Sequence, residues 1–205
     1  MIKKLYAKYV LAIYLIMASS IAIAAGQQKN PIDLLKNVST SVMSELTKNK
    51  STIASDPSKL FDLIQRFIIP NVDFVEMGTW IAGRKAWSQA SSAQKNEFIK
   101  QFKILVVKTY GSALVGYSDN KVVFPPQEYD PSKERIEIMS WVKRPSNDDV
   151  RVKYRLIKSG ASWKVYDLEV EGVSILRGFM AQFSEEIKTR GLSVAIEQMK
   201  EHNAK

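Results

Sequence analysis

The chain has 205 residues, a net charge of +9 at pH 7, no cysteine and one histidine, His202. The lack of cysteine excludes disulfides, thiolate nucleophiles and cysteine metal sites. His202 lies in the C-terminal tail, where chains commonly fray, so neither a histidine general base nor a multi-histidine metal site is expected. Because the lysines and arginines are scattered rather than clustered in a basic stripe, we expect no nucleic-acid partner. The sequence has no glycine-rich phosphate loop and no metal-ligand spacing, so we also expect no cofactor and no metal.

The N-terminal residues follow the order of a secretory signal peptide. Three lysines within the first eight residues precede an apolar run that ends near Ile23, and small residues follow it. The run is somewhat shorter than the roughly 20 residues that a membrane-spanning helix needs. We therefore predict a signal peptide over residues 1–24, cleaved after residue 24 or 25. The exported domain over residues 25–205 then carries a net charge of +6, since only the three lysines are lost.

Four helices are predicted in the first half of the chain. The first covers about residues 30–48, the second begins near residue 56 and ends at Pro70, and a short third covers 71–83. Ser91 and Gln94 fit the capping box of the fourth helix, which continues to about residue 114 with a broad apolar stripe.

The second half of the chain predicts strands and then two helices. Alternating apolar and polar residues indicate four strands, over residues 121–124, 134–142, 149–157 and 161–170. Two helices follow Gly172, and strands grouped in this way favour an α+β fold over a parallel doubly wound sheet. A helical layer packed on the predicted antiparallel sheet would enclose either a lined cavity or a filled core. Periodicity alone does not distinguish a lined cavity from a filled core.

The stretch WKVYDLEVEG carries three acids at alternate positions. Strict alternation places Asp167 on the same face as Trp163 and Val165. Paired carboxylates can perform acid–base chemistry, but the half-solvated face of a strand explains Glu169 more simply. We expect Asp167 to make a hydrogen bond or ion pair that fixes the corner between strand and helix, and Gly172 to permit a tight turn there.

Two further classes of protein remain open at this point. A ketosteroid-isomerase-like enzyme would place an acid inside an apolar pocket, and Asp73 and Asp167 have the apolar neighbours that such a site requires. Burying either acid without a partner would be costly. A periplasmic adaptor or chaperone would instead have a filled core and bind no small molecule.

Three segments of the chain resemble the MlaC family, also called toluene-tolerance auxiliary proteins. They are WKVYDLEVEGVSIL, the helix QKNEFIKQFKILVVKTYGSAL and the segment PNVDFVEMGTWIAGRKAWSQAS, in the family's order. The family commonly has an aromatic–arginine pair before a Gln-Phe dipeptide. Here Phe179 and Met180 occupy those positions, and Arg177 lies three residues before Met180.

The resemblance implies an α+β fold in which a helical layer wraps on a curved four-stranded antiparallel sheet and encloses an apolar cavity, an architecture related to the NTF2-like folds. It also implies a function. It implies a soluble periplasmic carrier that binds a glycerophospholipid by its acyl chains, without enzymatic turnover and acting as a monomer. Its partners would be an inner-membrane ABC transporter with an MCE-domain subunit and an outer-membrane lipoprotein–porin complex. The transport would maintain outer-membrane lipid asymmetry, and no catalytic residue is expected.

Residues at inward-facing periodic positions are predicted to form the lipid-binding wall. They are Met77, Trp80, Phe102, Val106, Tyr110, Ile138, Val152, Tyr154, Val173, Ile175 and Phe179. Arg177 is predicted to lie near the mouth, where it could contact a headgroup.

Overall fold

A computed structural model describes residues 28–144 and 148–204 of the protein. The predicted signal peptide and its cleavage site lie outside the described residues. Among the helices that the structure describes, none is long and apolar enough to cross a membrane.

Helices and strands follow the predicted order. The helices are α1 (Pro31–Lys48), α2 (Lys50–Ser55), α3 (Ser58–Phe67), a 3-10 turn (Ile69–Asn71), α4 (Phe74–Ala82), α5 (Arg84–Gln89), α6 (Ser92–Val115), α7 (Ile175–Arg190) and α8 (Leu192–Ala204). The strands are β1 (Lys121–Val123), β2 (Arg135–Lys143), β3 (Val150–Ser159), β4 (Ser162–Val170) and β5 (Val173–Ser174). The α+β class is confirmed.

Capping side chains set the starts of the long helices. Asn30 Oδ1 accepts a hydrogen bond from the amide of Ile32 at 2.8 Å at the start of α1. The predicted capping box of α6 is present, since Ser91 Oγ accepts from the Gln94 amide and Gln94 Oε1 accepts from the Ser91 amide. Sequence analysis missed α2 and α5, because a helix of six residues is too short to show an apolar period.

The sheet is antiparallel, with the strand order β1-β2-β3-β4-β5. It has five strands instead of the four predicted. The prediction missed β5 because the two residues Val173 and Ser174 pair with Val170 and Glu169 before α7 begins. The turn at Gly172, whose φ is +84°, therefore closes a β4–β5 hairpin, and the helix starts two residues later than the sequence indicated.

A bulge in β4 changes which residues share a face. Arg155 pairs with Asp167, whereas the next residue, Leu156, pairs with Val165, so Tyr166 is the extra residue. A bulge reverses the alternation that a regular strand would keep. Asp167 therefore lies on the face opposite Val165, which corrects the facing deduced from strict alternation.

Aromatic side chains fill the core between the helices. Phe102 and Phe179 meet edge to face with ring centroids 4.9 Å apart, and Phe98 and Phe183 extend the same cluster. These rings come from α6 and α7, and residues of α4, α5 and α8 and of strands β3 and β4 complete the cluster. A separate cluster lies where α1 crosses β2, β3 and β4, around Leu35. Solid packing therefore holds the helices together at one end of the domain and fixes α1 to the sheet at another.

Candidate binding cavity

An apolar cavity of about 340 Å³ lies between the sheet and the helices. The helical side of its wall consists of Leu34, Leu35, Val38, Ser39, Val42, Met43, Ile64, Ile68, Ile69, Asn71, Val72, Phe74, Met77, Val106, Val107, Tyr110, Gly111, Ala113, Leu114 and Tyr117. The sheet and the start of α7 contribute Val122, Val142, Val150, Val152, Tyr154, Val165, Tyr166, Asp167, Leu168, Val170 and Ile175. Aliphatic side chains dominate both sides, so the cavity suits an apolar ligand.

The cavity opens to solvent beside the second half of α6. Tyr110 is 38% exposed although it lines the cavity, and Ala113, one turn further along α6, is also exposed. Tyr110 packs edge to face on Phe179 at 6.0 Å, which places this opening next to the first half of α7. The rim therefore combines α6 with the segment that follows β4.

A few hydroxyl groups interrupt the apolar wall. Ser140 Oγ lies 3.3 Å from the hydroxyl oxygen of Tyr154, and Ser140 is fully buried. Burial raises the pKa of Tyr154, so its hydroxyl stays protonated. The phenol ring stacks on Phe124 with centroids 5.9 Å apart. This part of the wall is thus uncharged.

Asp167 connects the sheet to the start of α7. Its Oδ2 accepts hydrogen bonds from Arg155 Nη1 at 2.5 Å and from Ser174 Oγ at 2.7 Å, and its Oδ1 accepts from the Leu176 amide at 3.0 Å. Ser174 Oγ in turn accepts from the Arg177 amide and caps α7. These bonds hold the corner from which Ile175 extends into the cavity wall.

Arg155 is the centre of an ion-pair network on the outer face of the sheet. It contacts Glu137 and Glu169 at 2.8 Å as well as Asp167. Burial favours the neutral guanidine, but the hydrogen bonds to the three carboxylates outweigh it and raise the pKa of Arg155. Lys153 also bridges Glu137 and Glu169. The acids of β4 therefore have cationic partners on the neighbouring strand.

Asp73 has a structural partner as well. Its Oδ1 accepts from the Glu76 amide at 2.9 Å, so the carboxylate caps the start of α4. The two acids considered for enzyme catalysis, Asp73 and Asp167, are thus both engaged by backbone amides in the described structure.

The cavity brings six of the predicted wall residues together. They are Met77, Val106, Tyr110, Val152, Tyr154 and Ile175. Their positions come from four different elements, α4, α6, β3 and the start of α7. The periodic positions chosen on these elements therefore face one common space.

Three other predicted wall residues lie in solid core. Phe102 and Phe179 belong to the aromatic cluster, and Ile138 packs in the cluster around Leu35. All three are buried, and none lines the cavity. Each does point inward, as its period requires, but another side chain occupies the space in front of it.

The remaining two, Trp80 and Val173, face solvent. Trp80 is 46% exposed, and its indole N–H donates to Glu76 Oε1 at 2.9 Å across one turn of α4. Val173 is 72% exposed and lies in β5, the two-residue strand at the edge of the sheet. Arg177 is also exposed and does not line the cavity.

Sequence analysis missed the contribution of α1 and of the valines at one end of the sheet. Val38 and Val42 of α1 line the cavity opposite Val142 and Val150. The helical period of α1 and the alternation of β2 and β3 identify these residues as inward-facing. No signal in the sequence separates them from ordinary core residues.

A family model described as MlaC protein matches residues 36–201. The chain belongs to the MlaC family. Among its relatives, the toluene tolerance protein ttg2D of Pseudomonas putida is 25% identical over 86% of this chain and 82% of its own length. The intermembrane phospholipid transport system binding protein MlaC of Haemophilus influenzae is 24% identical, over 94% of this chain and 89% of its own length.

A solved structure also resembles the fold. It is the phospholipid-binding protein of Ralstonia solanacearum, determined in complex with a phospholipid. It is 26% identical to this chain with a TM-score of 0.77, and the alignment covers 86% of this chain and 98% of that protein. The resemblance to the MlaC family that the sequence motifs indicated is thus confirmed.

Proposed function

We propose that this protein is a periplasmic carrier that binds a glycerophospholipid by its acyl chains and moves it between the two membranes. The observation that carries the proposal is the apolar cavity between sheet and helices, in a fold shared with a protein solved with a phospholipid. Such a carrier needs no catalytic group, and the acids near the cavity are engaged in caps and ion pairs.

The energetics of lipid transfer explain why an apolar wall suits this function. Two acyl chains contain roughly 30 methylenes, and each contributes about 0.8 kcal/mol when it leaves water. Free lipid in water is therefore extremely rare, and a carrier must cover most of the chain length. Because apolar contacts are non-directional, a wall of valines, leucines and isoleucines accepts chains of different lengths.

The volume of the cavity implies that it widens when lipid enters. A cavity of about 150 Å³ holds one benzene ring, so a space of about 340 Å³ corresponds to little more than a dozen carbon atoms. Two full chains need more room than that. Lipid binding would therefore widen the space between the helices and the sheet.

The proposed partners follow from the family and its relatives' names. We propose that the mature domain, residues 25–205, acts as a monomer and exchanges lipid with an inner-membrane ABC transporter containing an MCE-domain subunit and with an outer-membrane lipoprotein–porin complex. The Haemophilus relative is named for an intermembrane phospholipid transport system, which supports this assignment. Scattered surface lysines and arginines would favour docking to acidic surfaces in a salt-sensitive manner.

Extraction of the purified protein tests lipid binding directly. Mature protein is isolated from a bacterial periplasm without detergent, extracted with organic solvent and analysed by mass spectrometry. We expect close to one diacyl phospholipid per chain. Lipid-free, folded protein that also fails to take up added phospholipid would contradict the proposal and favour an adaptor with a filled core.

Substitutions in the wall test whether the cavity is the site. Val106→Trp and Val152→Phe add bulk where two cavity-lining valines stand, so bound lipid per folded chain should fall severalfold. Val75→Trp is the matched control, because Val75 is 53% exposed on α4 and does not line the cavity. Equal lipid content in all three variants and the unmodified protein would exclude this cavity as the site.

A further inference from the structure

A second concavity adjoins the apolar cavity on the side of α1. It is a surface groove of about 730 Å³ between α1 and the connection from α6 to β1. Ser39, Met43 and Val122 line both spaces, so these side chains form part of the wall between groove and cavity. The stacked rings of Phe124, in the groove, and Tyr154, in the cavity, form a further part of the shared wall.

The groove is amphipathic. Its inner part, next to the cavity, carries the apolar side chains of Met43, Val122 and Phe124. Its outer part carries the lysines Lys36, Lys48 and Lys121, and Asp119 also lines the groove. Cationic side chains on one side and apolar side chains on the other match a molecule that joins an anionic group to a hydrocarbon chain.

Two lysines of the groove remain available to bind an anionic group. Asp119 is neutralised by Lys50, whose Nζ lies 2.6 Å from the carboxylate. Lys48 lies 3.6 Å from Glu45. Lys36 and Lys121 are exposed, and in the part of the chain that the structure describes neither lies within ion-pair distance of an acid.

We propose that this groove binds the phosphate-bearing headgroup of the ligand while its chains occupy the cavity. The inference rests on the proposed function. The cavity alone is too small for two acyl chains, and the groove has about twice its volume, so it also offers room for the chain segments next to the headgroup. Met43 has an unbranched, flexible side chain, and a change of its rotamer would connect the two spaces.

A charge-reversal experiment tests the assignment. Delipidated protein is incubated with vesicles of equal parts phosphatidylglycerol and phosphatidylcholine, and bound lipid is counted by mass spectrometry. Wild-type protein should enrich the anionic phosphatidylglycerol. In Lys36→Glu/Lys121→Glu the ratio of phosphatidylglycerol to phosphatidylcholine should fall by about threefold to tenfold, because two favourable exposed charge contacts become unfavourable.

The control changes the same net charge elsewhere. Lys85→Glu/Lys188→Glu replaces two exposed lysines on α5 and α7 that do not line the groove, and it should keep the wild-type ratio. Equal ratios in both double variants would overturn the groove assignment alone, provided that all three proteins bind lipid. Wild-type protein that binds no lipid would overturn the proposed function together with it.

Lysine acetylation identifies the source of the phosphate. Lys36 and Lys121 should be acetylated severalfold more slowly in lipid-loaded than in lipid-free protein, whereas Lys188 should not change. Inorganic phosphate alone at millimolar concentration should not protect them, since it lacks the chains that anchor the headgroup. Protection by inorganic phosphate as strong as that by loaded lipid would show a simple phosphate site and overturn the proposal.

Discussion

The two halves of α6 have different surroundings although the helix has one continuous apolar stripe. In the first half, Phe98 and Phe102 are completely buried in the aromatic cluster of the helices. In the second half, Val106, Tyr110 and Leu114 line the cavity. One helix is therefore part of a solid core over two turns and part of the cavity wall over the next two.

The first half of α6 therefore contributes to the stability of the fold, and the second half offers a surface for binding. Close packing in the solid half holds α4, α7 and α8 against α6 without help from a ligand. The hollow half leaves apolar surface without partners, and a ligand chain would supply the missing contacts. A cavity of this kind can persist only because a filled core beside it already supplies the stability of the fold.

The largest expected effect is the loss of an aromatic ring from the solid half. Phe102→Ala should reduce the free energy of unfolding by about 3–5 kcal/mol, because the deletion leaves a cavity among rings that cannot collapse. Urea denaturation of lipid-free protein measures this change. Bound lipid per folded chain should remain unchanged, and a selective loss of lipid at small cost in stability would show that Phe102 belongs to the binding wall instead.

The corner at Asp167 couples the two regions, so its removal should affect both. Asp167→Ala deletes the partner of Arg155, Ser174 and the Leu176 amide, and we expect about 2–4 kcal/mol of destabilisation. The destabilisation should be smaller than for a buried charge with no partner at all, because Arg155 keeps its ion pairs with two glutamates. Ile175 would lose its fixed position, so lipid should also dissociate faster, as fluorescent-lipid transfer to acceptor vesicles would show.

Ser174→Thr is the conservative control at this corner. Threonine keeps the hydroxyl that bonds Asp167 and caps α7, so stability and lipid transfer should stay near wild type. Wild-type lipid transfer in a destabilised Asp167→Ala variant would limit the role of Asp167 to stability.

The comparison also shows what the sequence could predict. Caps such as Asn30 and Ser91 and the alternation of β2 and β3 are local signals, and the elements they indicate are present. The bulge at Tyr166 has no such signal, because neither a glycine nor a proline marks it. One extra residue was enough to place Asp167 on the wrong face.

The boundary between core and cavity could not be predicted from the sequence, for a different reason. Phe102 and Val106 stand one helical turn apart in the same stripe, and both are apolar and inward-facing. Whether space lies in front of each depends on α1, α7 and the sheet, which are distant in the chain. The same limitation explains why Val38 and Val42 of α1 escaped notice as wall residues.

A small deletion in the hollow half sharpens the contrast with Phe102. Val106→Ala removes two methyl groups that border the cavity, so the free energy of unfolding of lipid-free protein should fall by less than about 1 kcal/mol. Urea denaturation under the conditions used for Phe102→Ala gives the comparison. A cost above about 2 kcal/mol would mean that the second half of α6 is packed as tightly as the first.

The smallest effect is expected at Glu169 of β4, which belongs neither to the aromatic cluster nor to the lining of the cavity. The hydrogen bond from Arg155, which outweighs the opposing effect of burial, lowers the pKa of Glu169, and the charge of Lys153 lowers it further. A carboxylate whose pKa is lower in the folded state stabilises the fold above its ordinary value, 4.5, and this contribution disappears as the pH falls through the folded-state pKa. Glu169→Gln should therefore reduce the loss of stability in acid below about pH 4.5, leaving lipid content at neutral pH unchanged. Urea denaturation at intervals from pH 7 to pH 3 measures how the free energy of unfolding of each protein changes with pH. The same change in both proteins would mean that Glu169 gains no stabilising interaction from Arg155 on folding.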